Sequence, residues 1–350
     1  MDRQMRYLEP GEQERARKLW SHAFPEDSEA FKDYYFKEKA EKSRILVKEE
    51  KGEIFAMLHR NPYRIRLRDR EQVLDYIVGV ATEAGRRHQG HMTDLLRQAL
   101  LDARREGQAF CFLMPAAEAI YTPFGFRFVY DQPFPEIDGE AALKISRNPA
   151  SEEKNFSELS EFMEHWLAER YQVYAVRDEA YARGLMDELA SEDGVLERIY
   201  SENGRLAGLR AFWGLEKKEQ RFLYLNGKTR EKKSPRPAIM ARIADLRSFL
   251  SLARLRQGTA SEKMEAVLWI EDPFLKDNSG LWIWKLDKTG ASAERAAGGF
   301  GGEPFVCDIS QMAQWLLGYR EWSELMPGRA VPKWMEQVER LKGIYLDEVV

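Results

Sequence analysis

The sequence predicts an α+β protein that is built on mixed sheets and organised in three parts. Residues 75–131 run through an apolar strand, a polar loop, an amphipathic helix and a second apolar strand, which is a βαβ-like order. Residues 156–225 place helices before an antiparallel meander. Residues 227–237 are basic and proline-bearing, as linkers often are. We therefore expect domains at 1–135, 136–236 and 237–350.

The first part is predicted to begin with two helices, at residues 7–24 and 28–39. Strand-like runs follow at 44–48 and 54–59, and Lys51-Gly52 between them is a hairpin turn signal. After the polar loop, apolar residues recur at i, i+3, i+4, i+7 and i+8, namely Met92, Leu95, Leu96, Ala99, Leu100 and Ala103. This spacing predicts a helix with one buried face.

Composition excludes several function classes. The 350 residues are 44% hydrophobic and 32% charged, with a formal net charge of −4, which gives no reason to expect nucleic acid as a partner. No apolar run approaches the roughly 18 residues of a membrane span, and the start has no secretory-type apolar segment, so a cytoplasmic protein is expected. Cys111 and Cys307 have apolar neighbours, which predicts buried, reduced thiols. The histidines are scattered, so no metal site is expected.

The middle part repeats the helix-then-meander plan. It has no Arg-x-x-Gly loop before a helix, whereas the first part has one at Arg87–Gly90. The last part is predicted to open with a helix at Ala238–Leu255, followed by strands at 265–270 and 280–285. Four tryptophans of this part could line an apolar cavity, although packing in a core is the favoured interpretation: Trp282, Trp284, Trp315 and Trp322.

The loop before the amphipathic helix contains Arg87-x-x-Gly90-x-Met92. Glycine lets the backbone approach a ligand closely, and the free N–H groups at a helix N-terminus bind anions. An exposed loop with solvated arginines is the plain alternative. The position of the motif, after an apolar strand and before an amphipathic helix, favours the anion site.

This segment resembles the cofactor-binding core of the GNAT acetyltransferase superfamily, whose loop pattern is Q/R-x-x-G-x-G/A. Met92 departs from the small residue that is usual at its position. More narrowly, VATEAGRRHQGHM, AIYTPFGFRFVYD and a short apolar-acidic tail resemble the Eis (enhanced intracellular survival) family. The resemblance implies tandem GNAT-like domains, the second without a cofactor loop, followed by a sterol-carrier-like α+β domain.

By the same resemblance, the cofactor is acetyl-CoA, used as a co-substrate. Its acetyl and pantetheine groups are expected at Val80, Ala81 and Thr82 on the preceding strand. The pyrophosphate is expected at the loop, on Arg87, His88, Gln89, Gly90, His91, Met92 and Thr93. Further contacts are implied just after the next strand, at Ala116 and Ala117, where only the main chain can bind.

The resemblance also implies the catalytic groups. Tyr121, in Y-x-x-F-G-F, falls on the family's general acid, and a tyrosine with a pKa of about 10 carries its proton at neutral pH. A core tyrosine is the alternative. The C-terminal carboxylate of Val350 is implied as the general base, although most chain ends fray. The apolar residues of GIYLDEVV favour burial of this end.

The acceptor is expected to be a primary amine, with polycationic amines such as aminoglycosides implied by the resemblance. Glu26, Asp27, Tyr35 and Glu348 are candidates for contacting it. For Glu348 and its neighbour Asp347, surface charge is the favoured interpretation. The resemblance further implies a homo-oligomer, a hexamer. The alternative function is a catalytically weak lipid- or small-molecule-binding or scaffold protein that uses the C-terminal domain.

Overall fold

The computed structural model of the protein describes residues 3–138, 143–296 and 303–348. The first part supplies most of a nine-stranded sheet. Its strands are β1 (Arg3–Tyr7), β2 (Arg44–Glu50), β3 (Glu53–Leu67), β4 (Arg70–Thr82), β5 (Phe110–Leu113) and β6 (Arg127–Gln132). Its helices are α1 (Arg17–Ala23), α2 (Glu29–Tyr34), α3 (His91–Arg105) and α4 (Glu118–Tyr121). The predicted mixed-sheet α+β class is confirmed.

Helix α3 covers one face of this sheet. Its buried residues are Leu95, Leu96, Ala99, Leu100 and Ala103, which confirms the face that the spacing predicted. Helices α1 and α2 cover the other face, where Trp20, Tyr35 and Phe36 pack on β3. The sheet therefore lies between two hydrophobic cores. Because both of its faces are apolar, each must be covered by another layer.

Strands β4 and β5 run parallel but separate almost at once. Tyr76 and Phe112 form the one registered pair between them in the described part of the chain. Beyond this pair, the Tyr76 hydroxyl is hydrogen-bonded to the backbone of Met114. Among the described residues, 77–82 of β4 thus have no registered partner in β5, and we call this unpaired stretch the opening.

The middle part forms a separate antiparallel sheet covered by two helices. Its elements are β7 (Pro135–Ile137), β8 (Lys144–Pro149), α5 (Phe156–Ala168), β9 (Val173–Ala175), α6 (Glu179–Ser191), β10 (Val195–Tyr200), β11 (Leu206–Trp213), β12 (Glu219–Leu225) and β13 (Thr229–Glu231). The four-stranded order is β12-β11-β10-β8. Strand β9 leaves this sheet and pairs with β3 of the first part.

The last part adds a smaller sheet and several short elements. They are β14 (Arg236–Ile243), α7 (Leu246–Leu250), β15 (Arg254–Leu255), β16 (Lys263–Glu271), β17 (Gly280–Asp287), β18 (Ala291–Arg295), β19 (Phe305–Asp308), α8 (Ile309–Leu316), α9 (Trp322–Leu325), β20 (Val338–Glu339) and β21 (Ile344–Tyr345). The sheet order is β18-β17-β16-β19. The remaining short helical turns are Gln13–Ala16, Tyr35–Lys39, Ala40–Lys42, Ala84–Arg86, Thr122–Phe124, Ala150–Glu152 and Lys333–Gln337.

The predicted helix at Ala238–Leu255 is wrong. Strand β14 occupies its first half and lies in the large sheet between β5 and β6, and the short helix α7 follows. Ile239, Met240 and Ala241 are all 0% exposed because both faces of this strand are covered. A strand buried on both faces has no alternating pattern, so periodicity cannot distinguish it from a buried helix.

Cys111 and Cys307 are free and buried, as the sequence predicted. Burial in apolar surroundings raises the pKa of both thiols. In the described residues, no helix is long and apolar enough to cross a membrane.

Candidate functional site

A kink in β4 lies within this opening. Gly79 has φ +60°, and a β-carbon there would lie 2.5 Å from Cζ3 of Trp20 and 3.1 Å from Cδ2 of His59. The β3–β4 register shifts at this level, so the strand bulges. Only glycine fits both the backbone angle and the space. Val80, Ala81 and Thr82, the predicted acetyl-binding residues, follow this kink immediately.

The loop after β4 presents backbone N–H groups to solvent beside the opening. It contains the short turn Ala84–Arg86, His88 at φ +62° and Gly90 at φ +82°, which caps α3. The first N–H groups of α3 have no intrahelical partner, and the helix dipole adds positive potential there. Residues His88–Thr93, where the sequence predicts the pyrophosphate, form the end of this loop and the start of α3, and we call this segment the cradle.

Two arginines of the loop have different surroundings. Arg86 is tied to β2 and β3, because it pairs with Glu50 at 2.9 Å and lies over the Phe55 ring at 4.3 Å. Arg87 is exposed, and its Nε donates a hydrogen bond to the carbonyl of Thr82 at 3.2 Å. Arg87 is thus placed between the end of β4 and the cradle, where it can add charge to an anion site.

Replacing Gly90 should weaken CoA binding without disturbing the fold. No heavy atom lies within 4 Å of a β-carbon built there, so Gly90→Ala meets only the penalty of φ +82°, about 1–2 kcal/mol. The added methyl group occupies the open space through which a phosphate would approach, so we expect the dissociation constant of CoA to rise about tenfold in calorimetry. Gly204→Ala is the matched control, because Gly204 has φ +76° and equally open space in a distant turn. Equal CoA affinities for the two variants would contradict the cradle.

Tyr121 lies at the end of α4, in the segment that follows β5. Its side chain is 8% exposed and packs edge-on against Phe126 at 5.8 Å between ring centroids. Burial raises the pKa of Tyr121 to about 12, so its hydroxyl is protonated throughout the neutral range. Ala116 and Ala117, the predicted main-chain contacts, are exposed just before α4. The structure therefore keeps a proton donor on the β5 side of the opening.

The predicted acceptor residues of the first part lie at different depths. Tyr35 is 0% exposed, stacks on Trp20 at 4.3 Å and shares a 2.8 Å hydrogen bond between its hydroxyl and Nδ1 of His59. Asp27 is half-buried and accepts a 2.7 Å hydrogen bond from Nε1 of Trp20, and burial raises its pKa. Glu26 is exposed. Trp20 and His59 thus connect Tyr35 and Asp27 to the kink at Gly79.

His59 should make the protein less stable in acid. Its imidazole is buried, and burial lowers its pKa from 6.5 to about 3. The unfolded chain therefore binds an extra proton between these pH values, and stability falls by up to about 1.4 kcal/mol per unit as pH decreases through this window.

The measurement is chemical denaturation at pH 6.5 and pH 4.5. We expect His59→Asn to lose less stability on acidification than the parent, by on the order of 2 kcal/mol. His165→Asn is the control, because His165 is 71% exposed and should leave the acid dependence unchanged. Identical acid dependence in parent and His59→Asn would show that His59 does not titrate across unfolding.

Asp347 and Glu348 are not surface charges, and the favoured interpretation of them is wrong. Asp347 is 5% and Glu348 2% exposed. Arg177 donates to both, over 2.5 Å to Asp347 and 2.8 Å to Glu348. Burial raises the pKa of Glu348. Val350, the predicted base, lies outside the described residues.

Sequence reasoning missed the residues that bind these carboxylates. Arg221 lies 3.5 Å from Asp347, Tyr224 donates to Asp347 at 3.4 Å and Tyr181 donates to Glu348 at 3.1 Å. The one signal in the sequence was the apolar character of the tail, which already indicated burial. Its partners are about 120–170 residues away in the chain, so no local pattern could identify them.

A cleft of about 530 Å³ lies between the first and middle parts. Tyr63 and Glu188 line it, and Tyr181, which donates to Glu348, forms part of its wall. The cleft also carries Glu38 and Asp187, and burial and the charge of Glu38 raise the pKa of Asp187. The volume is in the range of small-molecule sites.

The tryptophans of the last part fill its interior. Trp282 and Trp284 donate from Nε1 to the carbonyls of Asn278 at 2.9 Å and Leu250 at 3.1 Å. Trp315 packs on Trp322 with ring centroids 5.2 Å apart. All four are at most 3% exposed. They form a packed core, as the favoured interpretation held.

Comparison with known families agrees with this architecture. Residues 4–129 match the acetyltransferase (GNAT) domain, and residues 246–344 match the sterol carrier protein domain. The chain thus contains a GNAT acetyltransferase domain followed by a sterol carrier protein domain. The matched GNAT region contains the kink, the cradle and Tyr121, and the sterol carrier region contains the four tryptophans.

Solved structures share the fold over nearly the whole chain. A GCN5-related N-acetyltransferase from Anabaena variabilis has a TM-score of 0.77 at 14% identity, covering 99% of each chain. A probable N-acyltransferase from Enterococcus faecalis has a TM-score of 0.74 at 16% identity, covering 97% of this chain and 94% of its own. Eis1 from Mycobacterium abscessus has a TM-score of 0.64 at 13% identity, with the same coverages. No curated protein matches the chain.

Proposed function

We propose that this GNAT protein transfers the acetyl group of acetyl-CoA to a primary amine by direct attack. The observation that carries the proposal is the opening between β4 and β5, with the cradle at one end and Tyr121 beside it. This arrangement combines a loop suited to an anion, a gap in the strand pairing and a proton donor. Holding two substrates together in such a site supplies much of the rate.

The residues at the opening fit the cofactor. The open space at Gly90 and its left-handed backbone allow a phosphate to approach the N–H groups of His88–Thr93. Arg87 would add charge at the entry, and the kinked strand at Val80–Thr82 would hold the pantetheine arm. Ala116 and Ala117 would contribute main-chain groups on the β5 side. Bound acetyl-CoA supplies a thioester carbonyl that an amine can attack.

Tyr121 is proposed as the general acid. Its raised pKa keeps the hydroxyl protonated, so it can donate a hydrogen bond to sulfur as negative charge develops there. Cys111 and Cys307 are buried with raised pKa values, which makes neither a nucleophile. This supports direct attack rather than a covalent enzyme intermediate.

The C-terminal carboxylate of Val350 is proposed as the general base that removes the amine proton. Glu348, two residues before it, is buried and accepts a hydrogen bond from Arg177. Shielding from water raises the pKa of a carboxyl group and makes it a better base.

The acceptor is proposed to be a polycationic amine, such as an aminoglycoside, that enters through the cleft between the first and middle parts. Glu38 and Asp187 in its lining supply negative charge for a cationic ligand, and Tyr181 links the cleft to the tail. The lining also carries four cations, which are Lys39, Lys42, Arg64 and Arg183. Of the predicted contacts, Asp27 and Glu348 are the carboxylates that hydrogen bonds fix in place. Glu26 and Tyr35 stay predictions.

The test is acetyl-CoA turnover with a panel of polyamines and aminoglycosides, followed by release of the CoA thiol. Turnover with at least one amine is expected. Absence of turnover, together with no thermal shift on adding CoA, would contradict the proposal and favour a binding module. Hexamer formation and a cytoplasmic location also stay predictions, and a mass measurement in solution tests the first.

A further inference from the structure

We propose that the middle domain is the docking receptor for the C-terminal tail, residues 344–348, and that Arg177 and Arg221 are the residues that position it. The middle domain has no Arg-x-x-Gly loop before a helix, so a role other than cofactor binding is sought for it. The docking part of this inference stands on contacts alone. Its kinetic part rests on the proposed function of the chain end.

The first contact is a backbone one. Strand β9 pairs antiparallel with β3 of the GNAT domain and parallel with β21 of the tail. A short strand of the middle domain therefore connects the tail to the catalytic sheet. The N–H of Gln172, just before β9, also donates to the carbonyl of Gly343 at 2.9 Å. These bonds fix the direction in which the tail leaves β21.

The second contact is a guanidinium fork. Arg177 follows β9 by two residues, and Asp347 and Glu348 follow β21 by two and three. One terminal nitrogen of Arg177 binds each carboxylate, and the Arg177 side chain is 1% exposed. Its guanidinium also lies over the Tyr181 ring at 4.1 Å. A planar fork of this kind fixes the geometry of its partners as well as their charge.

The fork belongs to a charge cluster that draws on all three parts of the chain. The cluster comprises three cations and three carboxylates: Lys39, Arg177, Arg221, Glu188, Asp347 and Glu348. Lys39 is 19% exposed and the other five side chains 6% or less. Lys39 and Glu188 are 2.5 Å apart, and Lys39 also donates to Tyr63 at 3.2 Å. The two tail carboxylates are needed to balance the buried cations.

Positioning explains this cluster better than stability does. Buried ion pairs contribute little net stability compared with apolar packing, whereas removing one partner leaves a costly uncompensated charge. In the described part of the chain, Nε and Nη1 of Arg221 are buried without a hydrogen bond. The charge of Arg221 is instead compensated by two nearby carboxylates, Asp347 at 3.5 Å from Nη1 and Glu188 at 3.7 Å from Nε. An undocked tail would remove both carboxylate partners of Arg177 and leave Arg221 with Glu188 alone, so the docked position is strongly specified.

The test uses full-length Arg177→Met, Arg177→Lys and, as a matched control, Arg205→Met. Arg205 is an exposed arginine of the same domain, remote in sequence from β9. Hydrogen exchange reports docking of residues 344–348, with α3 as the internal reference. Steady-state kinetics with acetyl-CoA and an aminoglycoside reports turnover.

Arg177→Met should raise exchange in the tail at least tenfold while α3 stays unchanged. It should lower kcat about 100-fold with the KM for acetyl-CoA unchanged, and Arg177→Lys should restore part of both. Arg205→Met should match the parent. If Arg177→Met does not fold, Asp347→Asn removes the same contact from the tail side and should also raise tail exchange.

Tail exchange that stays at the parental level in the folded variants would overturn the receptor role. A released tail with full turnover would instead leave the receptor standing and refute the chain end as general base. A parent enzyme without turnover would refute the proposed function, and exchange alone would still decide the docking.

Discussion

Tyr121→Phe should lower turnover by about 100-fold or more while leaving the affinity for CoA unchanged. The substitution removes one hydroxyl and keeps the ring, so the edge-on packing against Phe126 is preserved. General acid groups typically contribute about 10²- to 10⁴-fold to a rate. The measurement is kcat from thiol release, together with the dissociation constant of CoA from calorimetry.

Tyr130→Phe is the matched control for this prediction. Tyr130 is also a buried tyrosine of the GNAT domain, at 6% exposure, and its hydroxyl has no hydrogen-bond partner among the described residues. Removing an unpaired buried hydroxyl should leave turnover unchanged and stability equal or higher. Equal losses in both variants would indicate that Tyr121 acts only through packing.

Adding two glycines after Val350 should abolish turnover while leaving cofactor affinity intact. The extension moves the terminal carboxylate by two residues and puts an uncharged peptide bond at its former position. Loss of a general base costs about 10²- to 10⁴-fold. The measurement is turnover with the acceptor amine, alongside the dissociation constant of CoA.

Two controls make this result specific. The same two glycines placed before Met1 should change neither value. Hydrogen exchange of Ile344 and Tyr345 in the extended protein should stay as in the parent, which shows that β21 remains docked on β9. Undiminished turnover in the extended protein would exclude the chain end from the chemistry.

Local sequence predicted the loop and the helix start that are proposed to hold the cofactor. Gly90, the amphipathic face of α3 and the apolar strand before the loop all act within about 25 residues of one another. Helix caps and left-handed glycines depend on local backbone sterics, so a sequence pattern can predict them. The GNAT resemblance rested on the same kind of local pattern, the family resemblance implied the sterol-carrier-like domain, and both domain types are confirmed.

The kink at Gly79 could not be predicted in this way. Its glycine is required because Trp20 approaches from α1 and His59 from β3, about 20 to 60 residues earlier. The same is true of β14, whose apolar residues fit a helix or a buried strand equally well. Its place between β5 and β6 also depends on Arg242, which is buried and pairs with Asp272 at 2.6 Å. Packing from both faces decided these positions.

The sequence by itself thus determined the fold class and predicted the anion cradle and the candidate acid Tyr121, because each depends on residues that are close in the chain. Only the tertiary structure decided that the acidic residues of the tail are buried. From the sequence, Asp347 and Glu348 were expected to be surface charges. In the structure they are buried and form ion pairs with Arg177 and Arg221, which lie about 120–170 residues earlier in the chain. A carboxylate is buried only where cations compensate it, and that compensation exists only once the three parts of the chain have packed together.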